Sequence, residues 1–173
     1  MLFIGSLAWV RGFQQWKPHD HLISLLDDAS SMLTPAGLSP SKHMKLNVRD
    51  FPRWQRDVIR GAPIPSLVKE LERLLDFGGR WDGRSNVFIH CEQGLSRSPA
   101  GALILACQKN PGSEREVGRR LRRLSPYFWP NALIIDTADD LLGLQGELVR
   151  ARAAMGRPVE GTPDFPVMLE PFL

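Results

Sequence analysis

The stretch from Asn86 to Ser98, NVFIHCEQGLSRS, constrains the fold more than any other part of this 173-residue chain. Its apolar residues 87–89 are typical of a short buried strand. A short polar segment follows, and the apolar run 99–106, which begins at a proline, predicts a helix. A strand joined to a helix by a tight loop is a building unit of parallel sheets. The sequence therefore predicts an α/β protein with this loop at the carboxyl end of a strand.

The residue types in this loop indicate an anion site with a nucleophile at its floor. Loop amides and the first helical turn present N–H groups, and the helix dipole adds partial positive charge. Arg97 contributes a planar, permanently charged guanidinium that matches two phosphate oxygens. Cys91 lies where this positive field favours the thiolate, which is the form of cysteine that attacks.

The loop contains the pattern H-C-x-x-x-x-x-R-[S/T], and in this it resembles the cysteine-dependent protein tyrosine phosphatases. The fixed positions of the pattern are His90, Cys91, Arg97 and Ser98. The internal glycine and the Ser-Arg-Ser ending resemble the small dual-specificity branch. Flanking segments are similar to small bacterial phosphatases of this kind, so that the resemblance spans roughly residues 20–155. These segments are 21–28, 43–51 and 130–143.

The resemblance implies phosphoryl transfer through a phosphocysteine intermediate. Cys91 would attack phosphorus, while Arg97 and the loop amides hold the charge on the equatorial oxygens. Ser98 would hydrogen-bond the sulfur and make it a better leaving group, and His90 would order the loop from behind without touching substrate. The residues expected to form the phosphate-binding loop are Glu92, Gln93, Gly94, Leu95, Ser96, Arg97 and Ser98.

The leaving group of such a reaction needs a proton, and the sequence offers two aspartates for this role. In the resembling families the acid is an aspartate on a loop after the preceding strand. Asp50 fits, because residues 46–48 alternate like the end of a strand and a Phe-Pro pair then turns the chain. Asp57 is the alternative, and a third possibility is that neither carboxyl group is catalytic. The same acid would later act as base on the water that hydrolyses the phosphocysteine.

Glu92 and Gln93 help to decide which phosphoesters remain candidate substrates. A carboxylate beside a dianionic phosphate is unfavourable if it points inward, so we expect both side chains on the rim. Similar loops occur in cysteine-based inositol phosphate phosphatases, which carry further basic residues that this loop lacks. This difference argues against inositol phosphate as the substrate. Because rim loops choose the substrate, inositol phosphate and RNA 5′-phosphate hydrolysis nevertheless remain alternatives to a protein tyrosine or dual-specificity phosphatase.

Two other classes of protein use a similar anion loop. A sulfur- or arsenate-handling thiol enzyme should carry a second reactive cysteine nearby, and Cys107 is expected to be buried on the core face of the following helix. A catalytically weak phosphate-binding module would keep Arg97 and lose the acid or the thiol. All three parts are present in this sequence.

Composition agrees with one α/β domain, and no cofactor is expected. The chain is 43% hydrophobic and 24% charged, and its net charge is +3. This mild positive charge suits phosphorylated proteins or small phosphoesters and does not argue for nucleic acid. The substrate residue would be phosphotyrosine, with phosphoserine and phosphothreonine open. The four histidines have no metal-ligand spacing, so no metal is expected, and the two cysteines do not indicate disulfides.

A single catalytic domain is expected over residues 1–155. Residues 156–173 are expected to form an extended, proline-containing C-terminal tail, ordered only if its Phe and Leu side chains dock. No stretch is long enough to span a membrane, and the apolar start of the chain is interpreted as a strand and not a signal peptide. A free nucleophilic thiol favours a reducing compartment, so we expect a cytoplasmic location. The sequence does not predict the oligomeric state.

The order of elements predicts a mostly parallel sheet of about four or five strands with helices on both faces. The strands are expected at 3–7, 21–26, 45–48 and 87–90. The helices are expected at 64–77, 99–109 and 113–124, with one or two more within 131–155. Gly78-Gly79 is expected to end the first helix. Ser113 and Glu116 have the spacing of a capping box at the start of the third helix.

Overall fold

The fold is built on a five-stranded sheet with the order β3-β2-β4-β1-β5. A computed structural model describes residues 1–51 and 64–173 of the chain. The strands are β1 Leu2–Ser6, β2 His21–Leu26, β3 His43–Asn47, β4 Val87–Cys91 and β5 Val167–Leu169. The first four strands pair in parallel, and β5 runs antiparallel to β1. Because β4 is central, its last residue, Cys91, lies at the middle of the carboxyl edge of the sheet.

Helices cover both faces of the sheet, as the sequence predicts. They are α1 Leu7–Gly12, α2 Pro65–Arg80, α3 Arg97–Lys109, α4 Glu114–Leu124, α5 Ala132–Leu142 and α6 Glu147–Ala154, with a 3-10 turn at Pro40–Lys42. Strand side chains alternate between the two faces. One set packs with α2 to α6 in the main core and includes Leu2, Ile4, Ile23, Leu25, Val87 and Ile89. The opposite set, which includes Phe3, Leu22 and Phe88, packs with residues of α1 and the segment after it. The mostly parallel α/β prediction is confirmed.

The first strand ends one residue earlier than predicted and leads directly into a helix. Ser6 caps α1, because its side-chain oxygen accepts a hydrogen bond from the N–H of Trp9 at 3.2 Å. The apolar residues 7–10 therefore begin a helix that the sequence analysis did not predict. Its apolar side chains, among them Val10, cover the second face of the sheet.

Two predictions about helix ends are wrong. Gly78-Gly79 does not end α2, which continues to Arg80. Gly78 instead permits a close approach to α3, since a Cβ atom there would lie 1.9 Å from the side-chain oxygen of Gln108. Ser113 is the N-cap residue of α4 but makes no capping hydrogen bond with its side chain. The expected box partner, Glu116, pairs instead with arginines one and two turns further along the helix.

The segment after residue 155 contributes to the sheet. Its strand β5 pairs with β1, and the side chains of Val167 and Leu169 are buried. Phe165 lies against Gly94 in the loop between β4 and α3, because a Cβ atom on Gly94 would come 2.4 Å from the Phe165 ring. Side chains of this segment therefore dock on the rest of the protein, and they do so through a strand that the sequence analysis did not predict.

No helix within residues 1–51 and 64–173 combines the length and the apolar character needed to cross a membrane. Cys107 is buried in the main core, as predicted, and burial raises the pKa of its thiol.

Candidate active site

The loop between β4 and α3 is held from outside by backbone amides of the surrounding chain. The carbonyl groups of Glu92, Leu95 and Ser96 accept hydrogen bonds at 3.1, 2.9 and 3.1 Å from the N–H groups of Leu7, Trp129 and Asn131, in that order. In a planar trans peptide, the N–H group of the next residue points opposite to the carbonyl. The amides of Gln93, Ser96 and Arg97 therefore point to the inner side of the loop, where they form a cradle for an anion.

Cys91 lies at the floor of this cradle with its side chain 2% exposed. Its sulfur accepts a hydrogen bond from the N–H of Gly94 at 3.2 Å. The Ser98 hydroxyl lies 3.4 Å from the sulfur and 3.3 Å from the carbonyl oxygen of Gly5. Because a hydroxyl has one proton, Ser98 can donate to either acceptor, and rotation would direct the proton to a thiolate.

Arg97 is buried beside the loop, and part of its hydrogen-bonding capacity is unused. Its Nη1 donates to the Asp27 carboxylate at 2.5 Å and to the carbonyl of Val48 at 2.8 Å. Its Nε has no hydrogen-bond partner in the described part of the chain, and the nearby carboxylate oxygen of Asp50 is 3.7 Å away. An unpaired N–H of a buried cation is costly, so this group is a ready donor for an incoming anion.

The structure brings Asp50 to the same loop. Its Oδ1 accepts hydrogen bonds from the Ser96 hydroxyl at 2.7 Å and from the Asn131 side-chain amide at 2.8 Å. The carbonyl oxygen of the Asn131 side chain caps α5 by accepting two backbone N–H bonds. One side chain thus joins the start of a helix to the candidate acid. The alternative acid, Asp57, lies outside the described residues.

His90 lies behind the loop and is fully buried. Its Nδ1 is 3.3 Å from the carbonyl oxygen of Cys91, and its Nε2 is 2.6 Å from the Ser24 hydroxyl. That hydroxyl also lies 2.8 Å from Nε2 of His43, whose Nδ1 is 2.9 Å from the Thr34 hydroxyl. Burial is the largest cause that lowers the pKa of His90 and of His43, in each case to about 4.

A cleft of about 1130 Å³ opens beside the loop, where Arg97 and Glu92 contribute to its wall. The other walls come from α1 and from segment 26–36. Both Glu92 and Gln93 are exposed, as expected for side chains on the rim. The charged residues that line the cleft besides Arg97 are Arg11, Asp27, Asp28 and Glu92.

In the described part of the chain, the sequence analysis missed three side chains that hydrogen-bond predicted site residues, and a fourth that hydrogen-bonds one of these three. They are Ser24, Asp27, His43 and Asn131. The Pro-Asn pair before the apolar run at 132–135 is a helix-start signal and could have identified Asn131 as a cap. No local signal marks the other three, because their partners are far away in sequence.

Within residues 1–51 and 64–173, no group of three or more His, Cys, Asp and Glu side chains is arranged to hold a metal ion. The side chains that do converge are a thiol, a guanidinium, a hydroxyl and a carboxylate. Together with inward amides, they provide a nucleophile, an anion cradle and a proton donor, which are the parts needed for transfer of an anionic group.

Comparison with solved structures shows which known proteins have a similar fold. The chain is similar to the PTP-2 phosphatase of Cydia pomonella, at 18% identity over 80% of this chain and 84% of that chain, with a TM-score of 0.55. A second match is OH1, a tyrosine phosphatase from the Orf virus, at 19% identity over 89% of this chain and 79% of that chain. Its TM-score of 0.34 is too low to add to the argument. No protein-family model matches, and no curated protein matches significantly. The first match shows that the chain has a protein tyrosine phosphatase fold.

Proposed function

We propose that the protein is a metal-independent phosphomonoester hydrolase of the protein tyrosine or dual-specificity phosphatase type. The observation that carries this proposal is the buried Nε–H of Arg97, which has no hydrogen-bond partner within residues 1–51 and 64–173 and lies beside a thiol and a ring of inward amides. A tetrahedral dianion supplies the several acceptors that such a site lacks. The phosphatase fold supports the same conclusion.

In the first step, the Cys91 thiolate attacks phosphorus, and an S–P bond forms as the P–O bond to the leaving group breaks. Charge on the equatorial oxygens is held by the loop amides and by Arg97. Asp50 gives its proton to the leaving oxygen.

In the second step, water attacks the phosphocysteine. The Asp50 carboxylate takes a proton from this water, a new P–O bond forms, and the S–P bond breaks. Ser98 donates its hydrogen bond to the departing thiolate, which lowers the energy of this leaving group. Inorganic phosphate then leaves and the site returns to its starting state.

The cleft favours a phosphorylated protein over a polyphosphorylated small molecule as substrate. Among the described residues, three carboxylates, those of Asp27, Asp28 and Glu92, line it together with the cations Arg11 and Arg97. A second phosphate group would be repelled by these carboxylates, whereas a single phosphate on a largely apolar side chain would not. We therefore rank protein phosphatase activity above inositol phosphate or RNA 5′-phosphate hydrolysis. A reducing compartment such as the cytoplasm would keep Cys91 in its active form.

The test is turnover of p-nitrophenyl phosphate against pH, in the presence of EDTA. The wild type should turn over substrate without metal, and Cys91→Ser should be inactive. Asp50→Asn should be slower and lose the basic limb of the pH profile, because that limb reports the acid. Asp57→Asn is the matched control, and an exchange of the two aspartate phenotypes would assign the acid to Asp57. Activity that survives Cys91→Ser would overturn the proposal.

A wild type that binds vanadate but shows no turnover between acidic and neutral pH would identify a phosphate-binding module instead. Substrate class is tested with a phosphotyrosine peptide, a phosphoserine peptide and an inositol hexakisphosphate under the same conditions. Preference for the inositol compound would contradict the argument from the carboxylates of the cleft.

A further inference from the structure

A chain of four buried or partly buried side chains runs from the wall of the cleft to the nucleophile. It consists of Thr34, His43, Ser24 and His90, and it ends on the Cys91 carbonyl. The direction of each hydrogen bond in this chain can be worked out from its last member. A carbonyl oxygen only accepts, so Nδ1 of His90 must carry the proton in its contact with Cys91.

The remaining directions follow in order. A neutral His90 with its proton on Nδ1 has a bare Nε2. The Ser24 hydroxyl lies 2.6 Å from this nitrogen and 3.2 Å from the Met32 sulfur, and it donates to the nitrogen because a thioether is only a weak acceptor. The single proton of Ser24 is then used, and its oxygen accepts from Nε2–H of His43. The bare Nδ1 of His43 in turn accepts from the Thr34 hydroxyl. Every donor in the chain therefore has one acceptor.

The surroundings keep both rings neutral. Burial disfavours the imidazolium form of His90, and the positive charges of Arg11 and Arg97 oppose it further. Burial acts in the same way on His43, where the added positive charge is that of Lys45. At neutral pH the chain thus has a single protonation pattern, and Nδ1–H of His90 is directed at the loop.

We propose that Ser24 and His43 are positioning residues of the catalytic loop, which act through His90 to hold the Cys91 carbonyl and so aim the Glu92 amide at bound phosphate. The last part follows from the trans peptide, in which the amide of Glu92 points opposite to the held carbonyl. The role as a phosphate site rests on the proposed function. Surrounding backbone amides hold three later carbonyls of the loop, and this chain of side chains holds the first.

The first test compares Ser24→Ala with Ser24→Thr in the full chain. Ser24→Ala leaves Nε2 of His90 without its donor, which permits the other tautomer and turns a bare Nδ1 towards the carbonyl. The inhibition constant of vanadate and the KM for p-nitrophenyl phosphate should each rise about tenfold, which is the effect of losing one hydrogen bond to a charged group. Ser24→Thr keeps the hydroxyl and should stay within about twofold of wild type. Ile23→Val is the matched control, because it removes buried volume from the same strand without touching the chain of hydrogen bonds.

The second test needs no variant. Nitrogen NMR of the histidine rings in the wild type should show His90 with its proton on Nδ1 and His43 with its proton on Nε2 at neutral pH. The opposite tautomer of His90, or an imidazolium, would overturn the proposal. So would a folded Ser24→Ala whose vanadate affinity and KM stay within twofold of wild type. Neither outcome would affect the proposed function, which fails only if the wild type lacks Cys91-dependent turnover.

Discussion

Asn131 has two roles that substitution can separate. Its side-chain oxygen caps α5 at 3.0 and 3.2 Å from two backbone N–H groups, and its amide nitrogen donates to Asp50 at 2.8 Å. Asn131→Ala loses both roles. The cap is worth about 1 kcal/mol. The Asp50 side chain is 40% exposed, so water replaces much of the second hydrogen bond. We therefore expect the free energy of unfolding of Asn131→Ala to fall by about 2 kcal/mol in total.

Asn131→Ser separates these effects, because serine keeps a capping oxygen but is too short to reach Asp50 as well. Its free energy of unfolding should fall by only about 1 kcal/mol. Turnover should fall equally in Asn131→Ala and Asn131→Ser, because both variants remove one of the hydrogen bonds that hold Asp50, the candidate acid. We expect turnover of phenyl phosphate, a substrate with a poor leaving group, to fall about tenfold. This decrease corresponds to the loss of one hydrogen bond to a charged group. Turnover of p-nitrophenyl phosphate should fall less, since its leaving group needs less help from an acid.

The assay is urea unfolding of the three proteins together with kcat on both substrates. Ser96→Ala is the matched control, because Ser96 donates to the same oxygen of Asp50 at 2.7 Å, whereas its side chain makes no capping hydrogen bond at the start of α3. It should reproduce the catalytic effect without the loss of the α5 cap. If Asn131→Ser retains wild-type kcat on phenyl phosphate, the anchor is irrelevant to catalysis and the reasoning is refuted.

Two further predictions concern stability. Gly118→Ala should destabilise by about 3 kcal/mol, because its Cβ would lie 2.0 Å from the backbone oxygen of Ala151. Gly79→Ala should instead stabilise by up to about 1 kcal/mol, because no other segment of the described chain comes within 4 Å of its Cβ. Urea unfolding compares the two variants, and similar effects would contradict the close approach of α4 to α6. The pKa of His90 is lowered from 6.5 to about 4 in the folded protein. Between these pH values the unfolded chain binds a proton that the folded protein does not bind. About 3 kcal/mol of stability that is present above pH 6.5 should therefore be lost as the pH falls to 4. His90→Gln should remove this share of the pH dependence and leave the share of His43, whose pKa is also lowered to about 4. An unchanged profile of unfolding against pH would refute the assignment.

The sequence predicted the parts of the site that lie close together along the chain. The strand, the loop and the helix that carry Cys91 and Arg97 are set by local patterns, namely an apolar run, a glycine turn and a proline at a helix start. Asp50 could be placed because parallel strands bring their carboxyl ends to one edge of the sheet. Its approach to Ser96 agrees with that argument.

Contacts between distant segments could not be predicted in the same way. Ser24 lies in the middle of an apolar strand, and nothing local indicates that two histidines flank its hydroxyl. Similarly, Gly78 has the sequence signal of a helix end, but helix packing uses it as a small residue inside α2. Ser113 and Glu116 have the spacing of a capping box, and the nearby arginines compete for the glutamate. In each case tertiary contacts override a local preference.

The short strand β5 has a consequence for how the folded molecule avoids other copies of itself. Without it, β1 would be an edge strand with a free row of N–H and C=O groups beside the buried side chains of Leu2 and Ile4. Such an edge is a template for pairing with another chain and hence for aggregation. β5 covers it with three residues, and its central Met168 is exposed. The C-terminal segment therefore protects the edge of the sheet from pairing with other chains. Removal of this segment would show first as poor solubility.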